Sequence, residues 1–430
     1  MNLADSQRLR GILQGIGYRE TEKEEEADLI LFNTCCVRQH AETRLSSRVQ
    51  RLKKLKEQKP HLLIAVGGCM AQKEQKTLFE LLPIIDLAFG PNDIERLPQL
   101  LEGLEPGEHR SGPFAELGTF LGEQADGLVL DRSYSAFVNI VRGCTNFCTY
   151  CIVPFVRGPE VSRPLEELVA FVRELVAKEV LEVILLGQNV NVYGRDLGLP
   201  EGFSTLCEKL QEIDGLKRIR FITSHPRDFS EEAVRRLAAV SKVCEQFHLP
   251  VQAGSNRILA SMNRGYTREK YLSLVSAIRW YIPEACISTD IICGFPSETE
   301  EEFEETLDLV RQARFDTAYM YFFSPRPGTK AADFPDQLPE EQRKARLARL
   351  IEVVNRIALE VSQKQIGRRF EVLVEELGDK PGMVKGKTRP GRTVDFAGDA
   401  SLIGKLVEVE ITEARLWTLS GRPSGSQASS

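Results

Sequence analysis

Cys144-Thr-Asn-Phe-Cys148-Thr-Tyr-Cys151 gathers three thiolates into eight residues. A structural zinc site or a fully ligated iron–sulfur cluster takes four protein ligands. Three on one short loop, with no adjacent histidine, leave one iron of a 4Fe–4S cluster open. An open iron can chelate the amino and carboxylate groups of S-adenosylmethionine and pass an electron to its sulfonium. The product is a 5′-deoxyadenosyl radical, which abstracts hydrogen. A zinc knuckle completed by a distant fourth ligand is the plainer alternative. Cys35 and Cys69 form a second constellation, each at the end of an apolar run. Two thiolates there could hold iron or zinc, given further ligands. Cys36 reads as a spare, and Cys207, Cys244, Cys286 and Cys293 read as core.

Other candidates lie at strand ends. In LLGQNVN (185–191), Gly187 permits close backbone approach, and Gln188 and Asn189 supply amide groups for the methionine end of the cofactor or simply for a turn. HLPVQAGS (248–255) offers His248, Gln252 and Ser255. Gln252 reads as a pocket residue, whereas His248 reads as a satisfied core group sooner than a catalyst. In DIICGFPSET (290–299), Ile291 and Gly294 could flank an adenine, while Ser297 or Thr299 caps the next helix. Near the C-terminus, KGKTRPGR carries Lys385, Lys387, Arg389 and Arg392 with no acid among them. It reads as an RNA-phosphate hairpin, extended by Arg368 and Arg369, or as a solvated turn.

The elements that must hold these residues read as an α/β chain of about three domains over 430 residues. Residues 1–125 form a first α/β unit, with buried parallel strands at 28–35 and 61–70 and a basic amphipathic helix between them. Glycine, proline and glutamate mark 104–127 as a linker. Residues 130–365 alternate strand and helix signals, with strands at 136–143, 182–187, 219–224, 246–251, 287–295 and 317–323. Six such repeats predict a partial (β/α)6 TIM-type barrel, whose chemistry sits where strands end. A long helix at 340–367 leads to 368–421, which read as a small β-barrel. Residues 422–430 read as a disordered tail. A net charge of −6 excludes a nucleic-acid partner held by the overall field, so any RNA must meet a local patch. No signal peptide and no membrane span is expected, which implies a reducing cytoplasm where cysteines serve as ligands or core.

These segments resemble the methylthiotransferase family of radical-SAM enzymes over almost the whole chain. NTCCVR, GGCMAQ, VRGCTNFCTYCIVPFVRGPEVSRP, LLGQNVNVYG, TSHPRDF, HLPVQAGSNRILASMNRGYT, DIICGFPSETEEEF and FSPRPGTKA carry the resemblance. It implies an N-terminal methylthiotransferase domain, a radical-SAM barrel and a C-terminal TRAM barrel that binds RNA. It also implies two 4Fe–4S clusters, with Cys144, Cys148 and Cys151 on the first and Cys35 and Cys69 on an auxiliary one. Members open with a strand and a Gly-Cys-Gln-Met-Asn turn. This chain starts at Met1-Asn2, so the expectation is a first domain lacking its first strand and first auxiliary cysteine.

SHPRDF, MNRGYT and GKTRPGRTVDF favour the branch that acts on N6-isopentenyladenosine at tRNA position 37, placing a methylthio group on C2. Related activities are modification of threonylcarbamoyl-adenosine in tRNA or of ribosomal protein S12. A non-catalytic tRNA-binding protein with a single cluster is the rival of another class. The implied partners are a tRNA anticodon loop carrying isopentenyladenosine and an electron donor such as flavodoxin or ferredoxin, acting on a monomer.

Overall fold

The computed structural model describes residues 1–35, 39–114 and 128–424. Strands β1 (Leu29–Thr34), β2 (Leu63–Gly68), β3 (Leu87–Phe89) and β4 (Arg110–Ser111) form a parallel sheet in that order. Side chains alternate across a strand, and β2 shows the consequence. Ile64 and Val66 pack under helix α2 (Gln39–Gln58) through Val49 and Leu52, while Ala65 faces Leu9 of helix α1 (Asn2–Gly15). The β1–β2 register pairs Thr34 with Gly68, so Cys35 and Cys69 come next on neighbouring strand ends. Helix α3 (Cys69–Glu74) starts at the second of them.

The middle of the chain is an open half-barrel. Strands β5 (Ser135–Asn139), β8 (Glu182–Leu186) and β9 (Arg218–Ile222) form one parallel sheet. Strands β10 (Gln246–His248), β11 (Cys286–Cys293) and β12 (Thr317–Phe322) form another. A bridge between Ile219 and Val243 joins the two. The short antiparallel pair β6 (Val141–Arg142) and β7 (Val161–Ser162) brackets the three-cysteine loop. Outer helices bury stripes at helical spacing, as Leu168, Phe171, Val172 and Leu175 do on Leu165–Ala177. Helix Glu300–Ala313 opens on a reciprocal capping box of Thr299 and Glu302. The inner face of the half-barrel is wetter: Ile222, Tyr319 and Tyr321 are 40%, 51% and 39% exposed.

The long helix Glu340–Gln363 leads to five strands: β13 (Arg369–Leu377), β14 (Met383–Thr388), β15 (Thr393–Ala397), β16 (Leu406–Ala414) and β17 (Thr418–Pro423). They close in the order β13-β14-β15-β17-β16 around Val372, Val384, Phe396 and Ile411.

Two boundaries differ from the sequence reading. Strand β4 lies inside the expected linker, because Arg110 N donates to Asp86 O at 2.8 Å and extends the sheet; residues 115–127 lie outside the described residues. Arg422 and Pro423, expected in the tail, belong to β17 and pair with Glu410 and Val409; residues 425–430 lie outside the described residues, as does Cys36.

Candidate active site

The loop carrying Cys144, Cys148 and Cys151 starts at a glycine that admits no substitute. Gly143 has φ +84°, and a Cβ there would lie 1.8 Å from Pro159 O. That approach lets Cys144 N donate to Gly158 O at 2.9 Å. Glu160 and two motifs distant in sequence then clamp the loop. Thr145 N donates to Glu160 Oε1 at 2.8 Å. Asn263 Nδ2 donates to Asn146 O and Phe147 O at 3.0 and 3.1 Å, and Thr149 N donates to Met262 O at 3.1 Å. Arg227 donates to Asn146 Oδ1.

Burial pushes the Cys144 thiol up to about 12, with Cys151 and Cys148 adding to the rise. Burial likewise pushes Cys151 up to about 11. The three sulfurs are therefore near enough to repel one another as anions, the condition that cationic irons relieve. Arg264, 3% exposed, donates from Nη1 to Cys148 Sγ at 3.3 Å. Its other donors reach Tyr266 Oη at 3.0 Å and Pro250 O at 2.6 Å. A buried guanidinium fixed in this way orients the sulfur and stabilises negative charge on it.

The second constellation abuts the first. Cys69, 5% exposed, packs against Ile152, which directly follows Cys151, and against Val156 in the short helix after it. Arg157 donates from Nε to Cys69 Sγ at 3.2 Å and from Nη2 to Asp5 Oδ2 at 3.0 Å. Burial works to raise the Asp5 carboxyl, but Arg157, Arg142 and Arg8 overcome it and hold the group below its usual range. Among the described residues no three histidine, cysteine or acidic side chains converge as ligands of a single metal ion.

The expected cofactor residues take distinct places. Gln188 accepts from Gly143 N at 2.6 Å through Oε1, and its Nε2 meets Met1 Sδ; it props the cysteine loop from behind. Asn189 spends its amide on Asp228, His225 N and Asn191 N. A Cβ at Gly187 would lie 2.5 Å from the side chain of Val141, just before the loop. Gln252 has φ +73° and a buried Oε1 without a hydrogen-bond partner among the described residues. Strain and an orphan acceptor at one strand end fit a ligand-facing group. Ile291 is fully buried in the core and directs its side chain away from the lumen. Gly294 N is taken by Glu298 Oε2 at 2.7 Å. The Gly294 N–H is therefore committed to Glu298.

His248 lies on the lumen with Ser288 Oγ 3.0 Å from Nδ1 and Asp290 Oδ2 3.5 Å from Nε2. Ser255 donates to Glu302 at 3.2 Å.

Sequence reasoning did not single out Arg264, Arg157, Asp5 or His225. His225 accepts from Arg227 N through Nδ1 at 3.3 Å, so the neutral ring carries its proton on Nε2, a buried atom without a hydrogen-bond partner among the described residues. The signal available was a set of charged and imidazole side chains inside short motifs at strand ends, where burial is the rule.

The basic hairpin is the main departure. Its tip docks under the half-barrel, and acids from other elements meet all four cations. Arg389 pairs with Glu245 at 2.8 Å and donates to Ser241 O and Val243 O, and Arg392 pairs with Asp316. Lys385 reaches Asp379 at 3.3 Å and Lys387 reaches Glu375 at 3.9 Å. Arg218 and Arg220 of β9 donate back to the carbonyls of Lys387, Thr388 and Arg389. Arg368, expected to enlarge the patch, pairs with Glu284, and Arg369 lies near Glu408 and Glu410.

Comparison with known proteins agrees with this division of the chain. A family model described as Radical SAM superfamily matches residues 138–310, one described as Uncharacterized protein family UPF0004 matches 1–90, and a TRAM domain model matches 363–423. A curated protein of Pelotomaculum thermopropionicum, named tRNA-2-methylthio-N(6)-dimethylallyladenosine synthase, is 48% identical over 98% of this chain and 95% of its own length. A protein of the same name from Moorella thermoacetica is 47% identical over 98% and 95%. Among solved structures, the radical S-adenosylmethionine methyltransferase TsrM of Kitasatospora setae superposes with a TM-score of 0.53 at 13% identity, covering 89% of this chain and 77% of that one. That likeness is one of fold.

Proposed function

The chain belongs to the family of tRNA-2-methylthio-N(6)-dimethylallyladenosine synthases among the radical-SAM enzymes, and from that premise we propose that it places a methylthio group on C2 of N6-dimethylallyladenosine at tRNA position 37. The observation that carries this reading is the packing of Cys69 against Ile152 and Val156, in the segment just after Cys151, which sets the second cysteine site beside the loop of the first. A hydrogen-abstracting reaction needs one such site; joining sulfur to the resulting carbon needs a sulfur-bearing site beside it.

A 4Fe–4S cluster on Cys144, Cys148 and Cys151 with S-adenosylmethionine, and a second cluster held in part by Cys35 and Cys69, would supply the radical and the sulfur respectively. The protein's own groups do the rest. Arg264 holds the Cys148 sulfur. The orphan Gln252 Oε1 and the buried His225 Nε2–H offer one acceptor and one donor to bound ligand. Ile222, Tyr319 and Tyr321 give the lumen an apolar wall suited to a dimethylallyl group, and His248 with Asp290 adds polar contacts beside Tyr319. An anticodon-loop base can be splayed into such a pocket, where a duplex base cannot without unpairing.

Lys385 and Lys387, on the flank of the docked hairpin, are proposed phosphate contacts. The reading also includes a monomer, a flavodoxin- or ferredoxin-type electron donor and a cytoplasmic setting. No helix among the described residues is long and apolar enough to cross a membrane.

The test is expression in a host deleted for its own methylthiotransferase. Nucleoside analysis of bulk tRNA should then show the 2-methylthio derivative of dimethylallyladenosine. Persistence of the unmodified precursor, with the chain folded and loaded with iron, would contradict the assignment.

A further inference from the structure

Arg157 sits six residues past Cys151 and ends the helix Val153–Arg157. It is 6% exposed, and its guanidinium crosses from the half-barrel to the N-terminal unit. There it makes two bonds, to Cys69 Sγ and to Asp5, which is 1% exposed. Its third nitrogen, Nη1, is buried and has no hydrogen-bond partner among the described residues. A guanidinium stranded in a protein interior with an unused donor is costly unless an acceptor is to arrive. Arg220, another buried arginine that bridges two domains, spends its donors on Glu182, Gln246 and the carbonyls of Thr388 and Arg389.

We propose that Arg157 is a positioning residue for the second cysteine pair, orienting Cys69 Sγ through Nε and offering Nη1 to an anionic sulfur ligand assembled there. Asp5 holds the guanidinium in place through Nη2. Because Arg157 shares one short segment with Cys151, the geometry of the second site is tied mechanically to the loop of the first. The inference rests on the reading of Cys35 and Cys69 as iron ligands, and the test separates the two.

In a Cys144→Ala/Cys148→Ala/Cys151→Ala background, anaerobic reconstitution leaves only the second site to hold iron and sulfide. With Arg157 present, that site should retain iron against a chelator. Arg157→Gln should speed its loss by about tenfold or more, the usual scale for losing a group that orients a metal ligand, and Arg157→Lys should fall between. Asp5→Asn, which leaves both cysteines and the arginine in place, should speed it in the same direction. In a Cys69→Ala background, Arg157→Gln should leave the iron content of the three-cysteine loop unchanged, which excludes general unfolding as the cause. Equal loss rates with and without Arg157 would overturn the proposal. An absence of iron even with Arg157 present would reject the ligand reading, and the proposal with it.

Discussion

Burial, with Arg264 and Arg227 close by, pushes the His225 imidazole down to about 2, against about 6.5 in an unfolded chain. The folded protein keeps this ring neutral, while the unfolded chain takes up a proton below about pH 6.5. Stability is therefore unaffected by this group above that pH and is lost as pH falls through it. The slope from His225 alone approaches about 1.4 kcal/mol per pH unit. Denaturant unfolding at a series of pH values from about 7.5 to 5 should show His225→Asn with a shallower loss than wild type, by close to one proton. Identical slopes would mean that the ring is protonated in the folded state. The same neutral ring keeps its Nε2–H pointed at no protein acceptor, which is why we assign it to ligand. Strain at this rim has a related meaning. Phe147, Thr223 and Gln252 all adopt positive φ, and for a β-branched residue such as Thr223 that conformation is rare.

At the scale of elements, the three-cysteine loop depends on Gly143 more than on any hydrogen bond. Alanine there would meet both a left-handed backbone, costing about 1–3 kcal/mol, and a carbonyl at 1.8 Å. Gly143→Ala should fold its outer helices normally, as far-ultraviolet circular dichroism would report, yet fail to retain iron on the loop. Normal iron content would show that the loop can close by another route.

Strand and helix positions here were legible because period and composition agreed. The runs at 182–187 and 317–323 became β8 and β12 within a residue. Strand β3, Leu-Ala-Phe, is too short to announce itself and exists because β2 and β4 flank it. The three cysteines of the loop were legible from spacing. Arg264 and Arg157 were not, since nothing local says that a guanidinium 116 or 88 residues away in sequence will meet a sulfur.

For the whole molecule, the same limit explains the hairpin. KGKTRPGR has no acid of its own, but the fold brings Glu245 and Asp316 to it from the half-barrel. Arg389 and Arg392 thus fasten the C-terminal barrel beneath β9–β12, whereas Lys385 and Lys387 pair, among the described residues, only with acids of their own barrel. Removing Arg392 strands Asp316, which is 5% exposed as a side chain, so the double variant Arg389→Ala/Arg392→Ala should lose about 3 kcal/mol or more of stability. It should leave the salt dependence of tRNA affinity nearly unchanged. Lys385→Ala/Lys387→Ala should do the reverse, flattening the slope of log K against log salt by about 0.7 for each single-strand phosphate that is no longer neutralised. Slopes altered by the arginine pair and not by the lysine pair would return the hairpin tip to the RNA interface.

The central claim is that one chain removes hydrogen from C2 of a tRNA adenine and joins sulfur to the same carbon. The most direct test uses tRNA bearing dimethylallyladenosine labelled with deuterium at C2, incubated anaerobically with the reconstituted protein, reductant and S-adenosylmethionine. Mass spectrometry should find deuterium in 5′-deoxyadenosine, accumulating in step with the methylthio nucleoside. Cofactor cleavage that leaves the deuterium in the tRNA would contradict the claim, however well the protein binds its RNA.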